Sequence, residues 1–273
     1  MSTRERRDRS NESDRFLSKL FHDAVRTHCD ADTGKEISLA AVGGYGRGEL
    51  SPGSDLDILI LHNGKIGQEK LKAIVNDLLY PLWDKNSVDH SVRTRSETKE
   101  AAASDLRVAT GLLDIRFIAG NADLVVAVRA DSLDYWRKDA KRNLPELSKT
   151  LSERHERAGE LAYLLEPDLK EARGGLRDIQ ALRAISLSGA VQVPLEKISW
   201  AESTLNNVRE ALHTASGRSK DRLLFQEQDK VAKILDYKNA DAMMSDVARA
   251  ARTVDYLLAV SYTHLTLPTN REV

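Results

Sequence analysis

The chain has 273 residues, 41% hydrophobic and 30% charged, with 41 Lys and Arg against 42 Asp and Glu. That balance suits a folded chain with a real core and excludes both a disordered tract and a basic surface built to wrap a polyanion. Cys29 is the single cysteine, which excludes an internal disulfide and a cysteine-rich zinc site, and no apolar run approaches the ~18 residues of a transmembrane helix.

The charged opening "MSTRERRDRSNESDR" has no apolar segment of a secretory signal, so a cytoplasmic protein is expected, with this end a solvated, frayed start. Residues 14–30 then read as a helix with Phe16, Leu17, Leu20, Phe21 and Val25 on one side. "EISLAAVGG" reads as a strand running into glycines, and "DLDILIL" as a second strand. From Leu71 to Trp83 the apolar residues Leu71, Ile74, Val75, Leu78, Leu79 and Leu82 fall at helical spacing, which predicts an amphipathic helix. "SVDHSVRT" (87–94) alternates and is expected to be a third strand. Beyond Ser96, taken as the next N-cap, the β signal stops. "SDLRVATGLLDIRFIAG", "ELSKTLSERHERAGELAYLL", "GGLRDIQALRAISLSGA", 201–216 and 239–260 all carry helical periodicity. Met243, Met244, Val247, Val254, Leu257 and Leu258 form a core stripe in the last of these.

The chemistry concentrates in "AVGGYGRGELSPGSDLDILIL", residues 41–61. Asp55 and Asp57 are two apart on a strand, so both leave one face while Leu56, Ile58 and Ile60 bury on the other. Carboxylates roughly 6.5–7 Å apart along a strand can converge on hard cations, for which Mg²⁺ prefers oxygen ligands. Two such ions about 4 Å apart would clamp the attacking and leaving oxygens of an in-line displacement. Gly43 and Gly44 let backbone N–H groups approach phosphate, because no Cβ intervenes. Arg47 in the same turn is a candidate charge-assisted contact to phosphate. Ser54, directly before Asp55, is a further candidate nucleotide contact. The pattern is neither a P-loop, since no Lys follows the last glycine, nor a dinucleotide fingerprint leading into a helix. The bland alternative is a glycine-rich turn and a strand with two solvent-facing aspartates.

A third carboxylate belongs on the neighbouring strand. Asp89 shares a face with Ser91 and Arg93, which makes Asp89 a candidate metal ligand or general base and Arg93 a candidate phosphate contact. An ordinary exposed Asp on a half-buried strand remains the alternative. In "KEARGGLRDIQ", Gly174-Gly175 can simply break one helix before another begins, with Asp178 in its first turn favoured by the helix dipole.

Four stretches in order, "VGGYGRGELSPGSDLDILIL", "LWDKNSVDHSVRT", "LEPDLKEARGGLRDIQALRA" and "DRLLFQEQDKVAKILDY", closely resemble the bacterial PII-protein uridylyltransferases, the bifunctional uridylyltransferase/uridylyl-removing enzymes, over roughly residues 38–260. The resemblance implies an α+β protein: a polymerase-β-like nucleotidyltransferase domain, a small mixed sheet with helices, followed by an all-helical domain. It implies transfer of UMP from UTP to a tyrosine of the signalling protein PII with Mg²⁺ or Mn²⁺, releasing pyrophosphate. Gly43 and Gly44 match the family's phosphate-binding glycines, and Asp55 and Asp57 its metal-binding pair. Asp89 falls where the related glutamine-synthetase adenylyltransferases carry a third carboxylate. A Gly-Gly-x-Arg-[Asp/Glu] motif shared with those relatives suggests that Lys170, Arg173 and Arg177 face the nucleotide.

The alternatives are protein adenylylation, AMP from ATP onto PII or glutamine synthetase, and a non-catalytic nucleotide-sensing module. RNA nucleotidyl transfer is disfavoured by the absent basic excess. The expected organisation is an N-terminal helix and polar leader (1–37), a nucleotidyltransferase domain (38–120), a helical domain (121–260) and a tail (261–273). "SYTHLTLPTNREV" does not continue the helical stripe and resembles translated adapter or vector sequence, so it is expected to be loose and foreign to the fold. The family's HD phosphohydrolase and ACT regions are not recognisable in the chain. His22-Asp23, on the first helix, has no companion ligands.

Overall fold

Apolar residues three and four apart on two helices, set against alternating apolar residues on strands, build the first core. The computed structural model describes residues 3–30, 33–83 and 88–266, which fall into two compact units, Thr3–Tyr135 and a second beginning at Trp136. The first unit contains α1 (Thr3–His28), β1 (Ile37–Ala41), a helical turn α2 (Gly43–Gly46), β2 (Leu56–His62), α3 (Gln68–Trp83), β3 (Val88–Thr94), α4 (Arg95–Ser104), α5 (Leu106–Leu112) and β4 (Arg116–Gly120). The strands form one mixed sheet in the order β3-β2-β1-β4, in which β1 runs antiparallel to β2 and β4, and β2 runs parallel to β3.

Leu17, Phe21 and Ala24 of α1 and Ile74, Leu78, Leu79 and Leu82 of α3 bury with Ile37, Leu39, Leu56, Ile58 and Ile60 in one cluster. Each fully buried Leu, Ile or Phe contributes roughly 1.5–3 kcal/mol through removal of apolar surface from water. The predicted burial of Leu56, Ile58 and Ile60 on one face of β2 is therefore met. Leu59 and Leu61, on the opposite face, are buried as well.

Several expectations need correction. The opening is not frayed over its described part: α1 begins at Thr3, Arg6 and Ser10 are buried, and Arg9 Nε donates to the Leu50 carbonyl at 3.0 Å. Its charged residues interrupt the apolar stripe, which hid the helix. Ser96 is not the N-cap; Thr94 is, in a capping box with Glu97. The β signal does not end at Ser96 either, since β4 pairs with β1 across an irregularity between Leu39 and Ala40. Its five residues, "RFIAG", are too short to stand out from the helical spacing of Leu112, Ile115 and Ile118 around them. The two units divide at 135/136, inside α6 (Ala122–Lys138). The strand expected over 87–94 is β3, and residue 87 lies outside the described residues.

The second unit is helical: the end of α6, then α7 (Ala140–Ala158), α8 (Leu176–Ser188), α9 (Ser199–Ser216), α10 (Phe225–Ile234) and α11 (Ala240–Thr266). Met243, Val247, Val254, Leu257 and Leu258 are buried along α11 as expected, with Met244 half-buried. α11 passes the predicted end at residue 260 and runs to Thr266; Ser261 is buried, and its hydroxyl donates to the Leu257 carbonyl at 2.7 Å. The remaining tail residues, 267–273, lie outside the described residues. Trp136 is fully buried, its indole N–H donating to the Ala184 carbonyl at 2.7 Å. Among the described residues, no helix is long and apolar enough to cross a membrane.

Candidate active site

β1 ends where glycines begin, and the chain turns back along β2. Val42 N–H donates to the Asp57 carbonyl at 3.0 Å, so the sheet ladder extends to Asp57. Gly43 follows with φ +56, and a Cβ there would stand 3.3 Å from Asp57 Oδ2. The left-handed backbone and the close approach together require glycine. The turn closes on itself: N–H groups of Gly46, Arg47, Gly48 and Glu49 donate to carbonyls of Val42, Gly43, Tyr45 and Gly44. The first N–H groups of a helical turn have no acceptor within it, which leaves the Gly43 and Gly44 amides as donors directed elsewhere.

On the other side of Asp57 stands β3. The parallel register pairs Asp57 with Asp89, and Leu59 and Leu61 with Ser91 and Arg93. Paired residues of adjacent strands point to the same face, with backbones about 4.8 Å apart. Asp57 is half-buried and Asp89 exposed. Asp55 precedes β2 and is exposed. Ser54 N–H donates to the Ser51 carbonyl at 3.0 Å and Ser54 Oγ accepts from Ser51 N–H at 3.1 Å, which closes the turn ahead of Asp55. Oxygen-only donors on adjoining strands fit a hard divalent cation rather than a soft one. Among the described residues, no three His, Cys, Asp or Glu side chains are drawn together into a metal-holding group.

The structure thus unites Gly43, Asp57 and Asp89. Two other predicted residues of this unit, Arg47 and Arg93, have other partners. Arg47 is almost wholly buried, with Nε donating to Glu49 Oε2 at 2.7 Å and Nη1 to Asp114 Oδ2 at 2.5 Å. Burial opposes its charge, and the two carboxylates more than offset that, so it titrates above an ordinary arginine. Its guanidinium is committed to holding the turn. Arg93 is half-buried, four residues beyond Asp89 and so about 13 Å along the strand, with its charge near Glu97.

In the second unit, Gly174 has φ +84, and a Cβ on it would stand 2.5 Å from the Ala251 carbonyl of α11. Asp178 is fully buried and accepts from Gly174 N–H at 2.6 Å, with Arg154 and His155 as its other partners. It is therefore more than a first-turn acid at a helix dipole. Arg173 donates to Asp255 at 2.6 Å and lies 3.4 Å from Glu160, while Arg177 lies 3.3 Å from Glu171 and 3.4 Å from Gln180. Lys170 Nζ is 4.0 Å from Asp221. Burial, and then the charges of Arg177 and Arg209, hold the Lys170 ammonium below its ordinary value. Asp221 also accepts from Arg209 at 2.6 Å and pairs with His213 at 2.8 Å. These acids were invisible as sites in the sequence, where each is one Asp among many.

A mixed sheet that sets a glycine turn against one aspartate and a second aspartate beside it defines the nucleotidyltransferase class, and the nucleotidyltransferase domain family matches residues 24–100. The family described as GlnD PII-uridylyltransferase matches residues 142–188 and 193–260. The chain is 49% identical over 245 residues to a bifunctional uridylyltransferase/uridylyl-removing enzyme of Streptomyces coelicolor, covering 89% of this chain and 28% of that protein. It is 40% identical over 229 residues to one from Mycobacterium tuberculosis, covering 81% of this chain and 28% of the relative. A third, from Cereibacter sphaeroides, is 36% identical over 250 residues, covering 83% of this chain and 27% of the relative. The chain belongs to the PII-uridylyltransferase family and spans less than a third of the length of these relatives.

Proposed function

We propose that this chain catalyses transfer of UMP from UTP to a tyrosine hydroxyl of a PII signalling protein, in a cytoplasmic setting. The observation that carries the reading is the register pairing of Asp57 with Asp89 next to a glycine that packs on the Asp57 carboxylate. Family membership supports it. In this reaction the phenol oxygen attacks the α-phosphorus, an O–P bond forms, and the bond to the pyrophosphate leaving group breaks. Gly43 and Gly44 offer backbone N–H groups to the phosphate oxygens, since nothing projects from their Cα atoms. Asp55, Asp57 and Asp89 are the residues that would hold Mg²⁺ or Mn²⁺. When bound, such a cation neutralises triphosphate charge and stabilises the departing pyrophosphate oxygen. Asp89 is exposed on the carboxylate face of β3, which supports the alternative that it accepts the phenol proton.

The test is incubation of the chain and Mg²⁺ with PII and α-labelled UTP or ATP in parallel. Label on PII from UTP, lost when the acceptor tyrosine is Phe, is the expected result. Transfer from ATP alone would sink the uridylyl assignment and leave nucleotidyl transfer standing.

A further inference from the structure

The glycine turn is held from outside by residues that the reaction chemistry does not call on. Arg116, on β4, donates from Nη1 to Asp14 Oδ2 at 2.5 Å and from Nη2 to Asp14 Oδ1 at 3.1 Å, a fork-to-fork pair with α1. The same guanidinium reaches the turn: Nε donates to the Gly46 carbonyl at 3.1 Å and Nη2 to the Tyr45 carbonyl at 3.2 Å. Tyr45 is buried, its hydroxyl donates to Asp14 Oδ1 at 2.6 Å, and the Arg116 guanidinium lies 5.4 Å from its ring centre. Burial first, and then the bond to Asp14, push that phenol well above its ordinary pKa, so it stays a donor. One arginine thus ties two consecutive peptide carbonyls of the turn to a carboxylate 102 residues away in sequence.

We propose that Asp14 and Arg116 are positioning residues that fix the direction of the Gly43 and Gly44 amides toward the phosphates of the nucleotide. The inference rests on the nucleotidyl-transfer reading above. The inner side of the turn meets Asp57, and its outer side is clamped by Arg116, so a shift at the clamp moves the phosphate donors relative to the carboxylates. Misplacement by about 1 Å can cost on the order of 100-fold in a reaction that depends on alignment. Lysine cannot replace this arginine, because one ammonium cannot span a carboxylate and two carbonyls in a planar fork.

The variants Arg116→Lys, Arg116→Met and Asp14→Asn test this in the full chain with Mg²⁺. UTP affinity is measured by equilibrium dialysis, and KM for UTP and for PII by transfer assay. The clamp predicts UTP dissociation constants raised about tenfold for Arg116→Lys and further for Arg116→Met, with the PII KM unchanged. Combining Asp14→Asn with Arg116→Lys should add little, since both act through one turn. Folded variants that bind UTP within about twofold of wild type, or whose PII KM rises in parallel, overturn the proposal. So does loss of UTP binding that appears only together with loss of the near-UV circular dichroism signal, which would make the pair structural. A wild-type chain that binds no nucleoside triphosphate removes the nucleotidyl-transfer reading itself, a different outcome from variants that match a binding wild type.

Discussion

Asp57 and Asp89 are register partners in the parallel β2–β3 ladder, although 31 other residues separate them in sequence. Two acids on one face of adjacent strands repel each other, and under the proposed function a bound cation would offset that repulsion. Replacing Asp57 with Asn keeps the shape and removes the charge. Transfer should fall by more than about 100-fold, beyond the range seen when only supporting groups around a metal are lost. The far-UV circular dichroism spectrum should stay that of wild type. Asp89→Asn should lower transfer too; full activity in that variant would remove Asp89 from the ligand set.

Gly174 is tested by one methyl group. Its φ is +84, and an added Cβ would stand 2.5 Å from the Ala251 carbonyl, so alanine meets both backbone strain and a clash with α11. Gly174→Ala should cost at least about 2 kcal/mol in urea unfolding of this chain. An unchanged midpoint would show that α11 can shift at little cost.

Asp178 has no exposed surface, and it holds Arg154, His155 and the Gly174 amide. Asp178→Ala leaves a largely buried guanidinium without its carboxylate and should destabilise by about 3–5 kcal/mol. Asp178→Asn, which retains acceptor capacity for the Gly174 N–H, should cost less. Equal losses in denaturant titrations would argue that the charge alone matters.

Asp221 links pH to stability. Burial would raise its pKa, but His213, Arg209 and Lys170 bring it down to about 2 in the folded chain. An unfolded Asp titrates near ~3.9, so its contribution is fully present above that value. It is lost as pH falls from about 4 through 2, because the unfolded state then binds the proton more readily. The difference is worth about 2–3 kcal/mol. Asp221→Asn should therefore flatten the acid limb of the stability curve between about pH 4 and 2 relative to wild type. A variant with the same slope there would assign acid sensitivity to other carboxylates.

Much of this protein is legible from local spacing. Leu71 to Leu82 repeat at helical intervals, Leu56, Ile58 and Ile60 alternate, and the structure buries both sets, Leu71 and Val75 in part, where those periods place them. The same alternation puts Asp89 on the face that meets Asp57 once β3 is paired. The less legible parts have equally local reasons. β4 is five residues long and surrounded by helical spacing, and the charges near Arg6 and Ser10 disguise the start of α1.

What the sequence by itself determined is the order of α1, β1, β2, α3 and β3, their core stripes and the candidate site residues: the glycines, Asp55, Asp57 and Asp89. Periodicity acts over two to four residues, and a chain carries that information wherever it is read. What only the tertiary structure decided is which partner each charge takes. Arg47 looks like a phosphate contact beside its glycines, yet it is spent on Glu49 and Asp114, the latter 67 residues on. Arg116 looks like any strand arginine, yet it joins α1 to two carbonyls of the turn. Ion pairs form between whatever charges folding brings within reach, and that proximity is a property of strand order and helix packing that no local pattern encodes.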